Sequence, residues 1–138
     1  MRITSLVKVD SKGRVTIPMF VREALEIHEG RHLIAIADID KKEIILTPLS
    51  STAENIYEIR VEMQDKPGAL VEISKILKEL GLDQLITRCS TLKRGEIGEC
   101  TFITEPIEGK EVDIENIKKR LEECSIVFFA SVKKLERA

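Results

Sequence analysis

Residues 8–22, KVDSKGRVTIPMFVR, contain a polar corner, a β-branched run and the start of a helix. Gly13 ends the polar corner and tolerates positive φ, so the chain can reverse there. The β-branched residues that follow favour an extended strand. Pro18 suits a first helical position, because the amide proton it lacks would have no partner within the helix. The predicted elements are a strand, a turn, a second strand and a short helix, at 3–9, 10–13, 14–17 and 19–26.

Positive charge is concentrated in this part of the chain. Residues 1–22 carry five basic side chains and one acidic one, whereas residues 23–50 carry three basic and six acidic ones. The whole chain of 138 residues has a formal net charge of −2, which argues against a general nucleic-acid coat. A small basic face predicts salt-sensitive phosphate contacts and requires two or more such faces in each assembly.

The strings 8–18, KVDSKGRVTIP, and 20–27, FVREALEI, resemble the AbrB/MazE/SpoVT-type swapped-hairpin DNA-binding domain over residues 5–48. In that family two chains exchange hairpins to form one β-barrel, and basic side chains face double-stranded DNA. The resemblance implies a homodimer, with a tetramer left open. The candidate DNA-binding residues are Lys8, Lys12, Arg14 and Arg22.

A second hairpin is predicted after the short helix, with strands at 32–37 and 43–46 around a polar turn at 38–42. A unit of about 50 residues buries only about 60% of its unfolded surface and is marginally stable alone. One hairpin also leaves strand edges unpaired. Both considerations predict that the N-terminal part completes its core and its sheet with a second chain.

The periodic pattern is lost at 48–55, PLSSTAEN, whose composition is typical of a linker. The predicted domains are 1–49 and 56–138, with a linker at 50–55. Beyond the linker, the apolar patterns predict the order βαββαβ, a four-stranded antiparallel sheet and both helices on one face. The predicted elements are strands at 57–63, 82–92, 99–103 and 126–135 and helices at 69–80 and 112–124.

The string 65–70, DKPGAL, follows the first of these strands and opens a helix. Backbone amides at a helix N-terminus favour a carboxylate or a phosphate. String and element order together resemble the ACT domain, a ferredoxin-like regulatory module that commonly binds amino acids, over residues 56–135. The resemblance implies a small-molecule effector, with an amino acid as the first candidate. The candidate ligand-binding residues are Asp65, Pro67, Gly68, Ala69, Leu70, Asp83 and Gln84.

Two of these candidates come from a departure from the family pattern. Asp83 stands where amino-acid-binding members often have asparagine, and Gln84 is the neighbouring amide that could supply a contact instead. The alternative for the loop is purely structural: Asp65 caps the turn and Gly68 only permits the bend.

The string 28–32, HEGRH, matches the H-E-x-x-H motif of zinc proteases. That chemistry needs both histidines on one continuous helix. Gly30 interrupts the helical pattern and His32 opens a strand pattern, so the sequence predicts a turn and no metal site. The sequence shows no nucleophile with a base and no Gly-rich phosphate cradle, so neither an enzyme nor a cofactor is expected.

Cysteine usage and hydropathy bear on the compartment. Cys89, Cys100 and Cys124 are an odd set without a C-x-x-C pair, which favours buried free thiols in a reducing environment. No apolar run approaches the roughly 20 residues that span a bilayer, and the N-terminus lacks a signal-peptide pattern. The sequence therefore predicts a cytoplasmic protein without a membrane segment.

These patterns predict an α+β protein, with an N-terminal swapped-hairpin β-barrel and a C-terminal ferredoxin-like ACT domain. The predicted function is a dimeric transcriptional regulator that binds DNA. A metabolite bound between paired C-terminal domains would act allosterically by changing the spacing of the DNA-binding heads. Two alternatives remain: an antitoxin-like module that docks a toxin, and a regulatory subunit of an amino-acid biosynthetic enzyme. Such antitoxins usually carry a disordered toxin-wrapping tail, whereas here the pattern predicts a folded domain.

Overall fold

The computed structural model describes residues 1–49, 54–108 and 111–136. The chain divides into two compact units, an N-terminal unit at Met1–Thr52 and a C-terminal unit at Ala53–Ala138. The fold is mixed α+β, and its sheets are antiparallel. Four of the six residues of the predicted linker, 50–53, lie outside the described residues.

The N-terminal unit contains one short helix, α1 (Met19–Ala24), and one hairpin, β1 (Leu33–Asp38) and β2 (Glu43–Pro48). The strands pair in antiparallel register from Leu33 opposite Pro48 to Asp38 opposite Glu43. The Asp38 carboxylate accepts a hydrogen bond of 3.0 Å from the backbone N–H of Lys41 and so closes the turn. The predicted second hairpin and short helix are confirmed.

Residues 1–17 form no paired strand with any part of the chain that the structure describes. The turn at 10–14 is present, and the Asp10 amide donates to the Arg14 carbonyl at 2.9 Å. The predicted strands at 3–9 and 14–17 are therefore wrong for the single chain. A β-branched sequence favours extended backbone, but a strand also needs a neighbour to accept its hydrogen bonds.

The C-terminal unit has the predicted order βαββαβ. Its four strands form one antiparallel sheet in the order β4-β5-β3-β6, which leaves β4 and β6 at the edges. The elements are β3 (Tyr57–Gln64), α2 (Ala69–Glu79), β4 (Leu82–Lys93), β5 (Ile97–Pro106), α3 (Ile114–Glu122) and β6 (Val127–Lys134).

The core of the C-terminal unit lies between one face of the sheet and the two helices. Strand β3 alternates between buried and less buried residues, with Ile59 and Val61 fully buried. Ile73 of α2 and Leu121 of α3 are also fully buried and belong to the same apolar cluster. Both helices therefore cover one face of the sheet, as predicted. None of the described helices is long and apolar enough to cross a membrane.

Helix α3 begins with a side-chain cap, whereas helix α2 does not. Asp113 precedes α3 and accepts hydrogen bonds from the backbone N–H groups of Glu115 at 3.0 Å and Asn116 at 3.4 Å. Gly68 precedes α2 in the left-handed region, with φ of 85°. Glycine is suited to this position because it has no Cβ to clash with the backbone.

The cysteines differ from the prediction of three free thiols. Cys89 of β4 and Cys100 of β5 are paired in register, with Cα atoms 4.1 Å apart, and form a disulfide. Cys124 has a free thiol, whose Sγ lies 3.5 Å from Oε1 of Glu72. Cys89 and Cys100 are 11 residues apart in the sequence, but the β4–β5 hairpin places them opposite each other.

Candidate nucleic-acid interface and ligand loop

The Asp10 carboxylate organises the first turn of the chain. Its Oδ1 accepts hydrogen bonds of 2.9 Å from the backbone N–H groups of Lys12 and Arg14. Its Oδ2 accepts a third, also 2.9 Å, from Nε of the Arg14 guanidinium. Gly13 closes the corner at φ of 79° and donates its N–H to the Asp10 carbonyl. The turn is thus fixed by one acid and one glycine.

These contacts change the acidity of the carboxyl group. The pKa of Asp10 lies below its ordinary value of 3.8, first because the backbone N–H of Arg14 binds the ionised form, and second because the Arg14 side chain also does. Asp10 is therefore the ionised partner of an exposed pair. The Arg14 side chain remains 69% exposed, because the pair engages it through Nε.

The four candidate DNA-binding residues are not equivalent. Lys8, Lys12, Arg14 and Arg22 are all exposed. Lys12 and Arg14 belong to one turn, and Lys8 lies two residues before it, so these three are neighbours along the chain. Arg22 is on α1, and its Nε donates a hydrogen bond of 2.9 Å to the carbonyl of Ile17. This bond anchors α1 to the segment before it and fixes the direction of the guanidinium.

The surroundings of Arg22 are acidic. It lines an open groove of about 640 Å³ along α1 and the turn that follows. The groove contains three glutamates and one arginine, which gives an unfavourable local field for DNA phosphates. The lining residues are Met19, Arg22, Glu23, Glu26, Ile27, His28 and Glu29. The basic segment at 8–14, which contains the turn and Lys8, is therefore a better candidate for phosphate contacts than the α1 surface.

Apolar side chains of the N-terminal unit are largely exposed. Helix α1 buries no residue, and Leu49 is the one apolar side chain that is buried among the described residues of this unit. Val7 and Val9 flank Lys8 and are exposed by 47% and 62%. The other large exposed apolar side chains of this unit are Met1, Ile3, Leu6, Val15, Met19, Phe20, Leu25, Ile39, Ile44 and Leu46.

The predicted ligand loop is tied to a distant turn. Oδ2 of Asp65 accepts a hydrogen bond of 2.8 Å from the backbone N–H of Gly95, and the amide of Asp65 donates to the carbonyl of Glu96 at 3.1 Å. Asp65 therefore joins the β3–α2 loop to the β4–β5 turn and does not cap α2. Pro67 and the left-handed Gly68 then lead into Ala69 and Leu70 of the helix.

Asp83 and Gln84 lie far from this loop within the unit. The loop follows Gln64, which pairs with Ile97 at the start of β5, whereas Asp83 pairs with Glu105 near its end. Eight residues of strand separate these positions, or about 26 Å. Oε1 of Gln84 accepts a hydrogen bond of 2.7 Å from Thr87. The structure thus does not bring the seven predicted ligand-binding residues into one site within a protomer.

The two histidines do not have the geometry of a zinc-protease motif. Helix α1 ends at Ala24, Gly30 has φ of 88°, and His32 directly precedes β1. His28 and His32 therefore lie on a turn, as predicted, and not on one helix. Among the described residues there is no group of three or more His, Cys, Asp or Glu side chains that could bind a metal ion.

The N-terminal part of the chain matches a known protein family. A family model described as antidote-toxin recognition MazE, bacterial antitoxin, matches residues 6–54. This segment is AbrB/MazE-like. The match covers 49 of the 138 residues and supports a DNA-binding or antitoxin-type regulator. No curated protein is detectably similar to the chain.

Two features of the structure go beyond the sequence prediction: closure of the first turn by the Asp10 carboxylate, and the pairing of Cys89 with Cys100. The sequence predicts the polar turn at 10–13 but not its closure by the Asp10 carboxylate, although an aspartate three residues before a glycine is a common signal for a side-chain-closed turn. Cys89 and Cys100 lie on the two consecutive predicted strands at 82–92 and 99–103, near the segment that joins them. Their pairing required the register of β4 against β5, which the sequence pattern does not determine.

Proposed function

We propose that the protein is a homodimeric DNA-binding regulator whose N-terminal units exchange hairpins. The observation that carries this proposal is the shortage of core in the N-terminal unit, where Leu49 is the one buried apolar side chain among the described residues. A two-stranded hairpin with one short helix is at best marginally stable in water. A second copy would cover the exposed valines and leucines and pair with the extended segments at 3–9 and 14–17.

The DNA-binding face in this proposal is the basic segment at 8–14. Lys8, Lys12 and Arg14 are exposed there, and Asp10 fixes the backbone that carries them. Arg14 presents a guanidinium held through Nε, which suits contact with a phosphate or a guanine edge. Arg22 serves chiefly to position α1 through its hydrogen bond to the Ile17 carbonyl and is the weakest of the four candidate contacts.

Salt titration of duplex binding by the full chain tests this function. With three to four phosphate contacts in each protomer, the logarithm of the association constant should fall against log[salt] with a slope of about −5 to −7. Binding that is undetectable at low salt, or binding with a slope near zero, would refute the DNA-binding proposal.

For the C-terminal unit we propose an ACT-like sensor of a small metabolite, most simply an amino acid. The βαββαβ order and the antiparallel sheet support the proposal. Because the loop at 65–70 and the pair Asp83 and Gln84 lie at opposite ends of one sheet, a site that uses both must form between two copies. Dimerisation through the N-terminal units would raise the local concentration of C-terminal units and favour such a site.

Thermal-shift screening of the full chain with the twenty amino acids tests the sensor, since a ligand that binds only the folded protein raises its melting temperature. A stabilising amino acid whose effect disappears when Gly68 is replaced by alanine would support the site. Twenty amino acids without effect would refute the amino-acid proposal.

A toxin-binding antitoxin is the second candidate function. It is favoured by the description of the matching family model, which names toxin recognition. The folded C-terminal unit occupies the part of the chain where a disordered wrapping segment would be expected for that role. Copurification of the tagged full chain from its native cell distinguishes the candidates: DNA supports the regulator, and a stoichiometric small protein that blocks duplex binding supports the antitoxin.

A further inference from the structure

The disulfide between Cys89 and Cys100 lies where the sheet has little other support. Strand β4 is an edge strand, and every side chain at 87–93 is exposed. This half of β4 is attached to β5 by ladder hydrogen bonds and by the disulfide. The first half of the strand is different, because Leu82 is buried in the core.

The two sulfur atoms have different surroundings. Cys89 is exposed, whereas Cys100 is 2% exposed and belongs to the apolar core. A thiolate must reach one sulfur of a disulfide before exchange can occur. An external thiol can therefore approach the bond only from the Cys89 side.

We propose that Cys89–Cys100 is a reversible thiol–disulfide exchange site that controls the order of the β4–β5 hairpin. A low-molecular-weight thiolate attacks Sγ of Cys89, the bond between the two sulfurs breaks, and the Cys100 thiolate leaves and takes up a proton. A second external thiolate then attacks the sulfur of the bound external thiol, the bond between that sulfur and Sγ of Cys89 breaks, and the Cys89 thiolate leaves and takes up a proton. In sum, the disulfide gains two electrons and two protons, two external thiols are oxidised to one external disulfide, and both cysteines become thiols.

Reduction of the disulfide should first loosen the β4–β5 hairpin and then free the β3–α2 loop. Without the covalent link, the exposed half of β4 can separate from β5 once its ladder bonds and the two hydrogen bonds between Asp65 and the following turn are broken. The turn after β4 supplies the N–H of Gly95 and the carbonyl of Glu96 to Asp65. Opening of the hairpin therefore releases Asp65. Cys100 remains part of the core in both states, so the rest of the sheet keeps its packing.

Hydrogen exchange of the full chain in oxidised and reduced glutathione tests the proposal, with the cysteine state read by alkylation and intact mass. Reduced glutathione should release two alkylatable thiols and speed exchange at 87–96 by at least about tenfold, while exchange in α3 stays unchanged. Oxidised glutathione should reverse both changes. A bond that glutathione neither forms nor opens, or equal exchange in the two states, would overturn the proposal.

Two variants make the test specific. Cys89→Ser replaces an exposed side chain and should show the fast exchange of the reduced state in either buffer. Cys124→Ser removes the other cysteine and should keep the full response to glutathione. If Cys89→Ser exchanges as slowly as the oxidised protein, the disulfide does not order the hairpin and the proposal fails.

Discussion

Asp10 and Arg14 are joined by three hydrogen bonds of 2.9 Å each: the Asp10 carboxylate accepts from both the backbone N–H and the Nε of Arg14, and the Asp10 amide donates to the Arg14 carbonyl. The pair fixes the turn that carries the basic residues. It also partly neutralises Arg14, so the same acid shapes the candidate DNA face and limits its charge. Removal of Asp10 should therefore loosen the turn, whereas removal of Arg14 should chiefly take a positive charge from the candidate DNA face.

The acidity of Asp10 provides the first prediction. A carboxyl group whose pKa is lowered by folding stabilises the folded turn above its unfolded pKa, and this stabilisation is lost as the pH falls through the lowered value. NMR titration of the Asp10 carboxyl should give a midpoint below 3.8. In Arg14→Ala the midpoint should rise but stay below 3.8, because the larger contribution comes from the backbone N–H at position 14. A wild-type midpoint at or above 3.8 would contradict the observed pair.

Arg14→Ala should also weaken duplex binding and reduce its salt dependence. A homodimer carries the substitution twice, so the slope of log K against log[salt] should become less steep by about two. Lys41→Ala is the matched control, since it removes one positive charge from the β1–β2 turn of the same unit and should leave the slope nearly unchanged. Equal effects of the two substitutions would show that net charge matters and the assigned face does not.

The conformation of Gly68 provides a stability prediction. At φ of 85° an alanine would be strained, so Gly68→Ala should cost about 1 kcal/mol and lower the melting temperature of the C-terminal unit by about 5 °C. Gly98→Ala is the control, because its added Cβ would meet neighbours no closer than 3.8 Å, an ordinary contact distance. Differential scanning calorimetry should separate the two variants, and equal melting temperatures would contradict the strain at position 68.

Asp65 should stabilise the hairpin turn and not helix α2. Asp65→Ala removes the acceptor of the Gly95 N–H, at a cost of about 1 kcal/mol, and should speed exchange of that amide. Asp83→Ala, at the other end of the sheet, should leave the Gly95 amide unchanged. If α2 frays in Asp65→Ala while Gly95 stays protected, Asp65 acts as a helix cap and the observed contact is not the important one.

The sequence predicted the C-terminal unit better than the N-terminal one, and the reason is physical. Alternation in β3 and the 3.6-residue spacing in α2 and α3 are local patterns that the core of the same unit satisfies. The segments at 3–9 and 14–17 have strand propensity without a strand neighbour in their own chain. In the proposed dimer their neighbours come from a second chain, which no local pattern in the sequence specifies.

In the candidate sites, too, features set by neighbouring residues were predictable and contacts between distant residues were not. The turn at 10–13 was predictable, because Gly13 and its polar neighbours determine it locally. The contact of Asp65 with Gly95 joins residues thirty positions apart, and it depends on the register of three strands. The grouping of Asp83 and Gln84 with the loop came from a family resemblance and does not hold within one protomer.

The central claim is that two copies complete the core of the N-terminal unit and pair its segments at 3–9 and 14–17, on either side of the basic turn. Hydrogen exchange of the full chain across a range of protein concentrations tests it most directly, with residues 3–9 and 14–17 as the reporters. The account predicts that amides in these segments are protected at high concentration and lose protection on dilution as the dimer dissociates, while β3 and β5 stay protected throughout. Exchange at the rate of an unstructured chain in both segments at every concentration, with a monomeric mass by sedimentation, would contradict it.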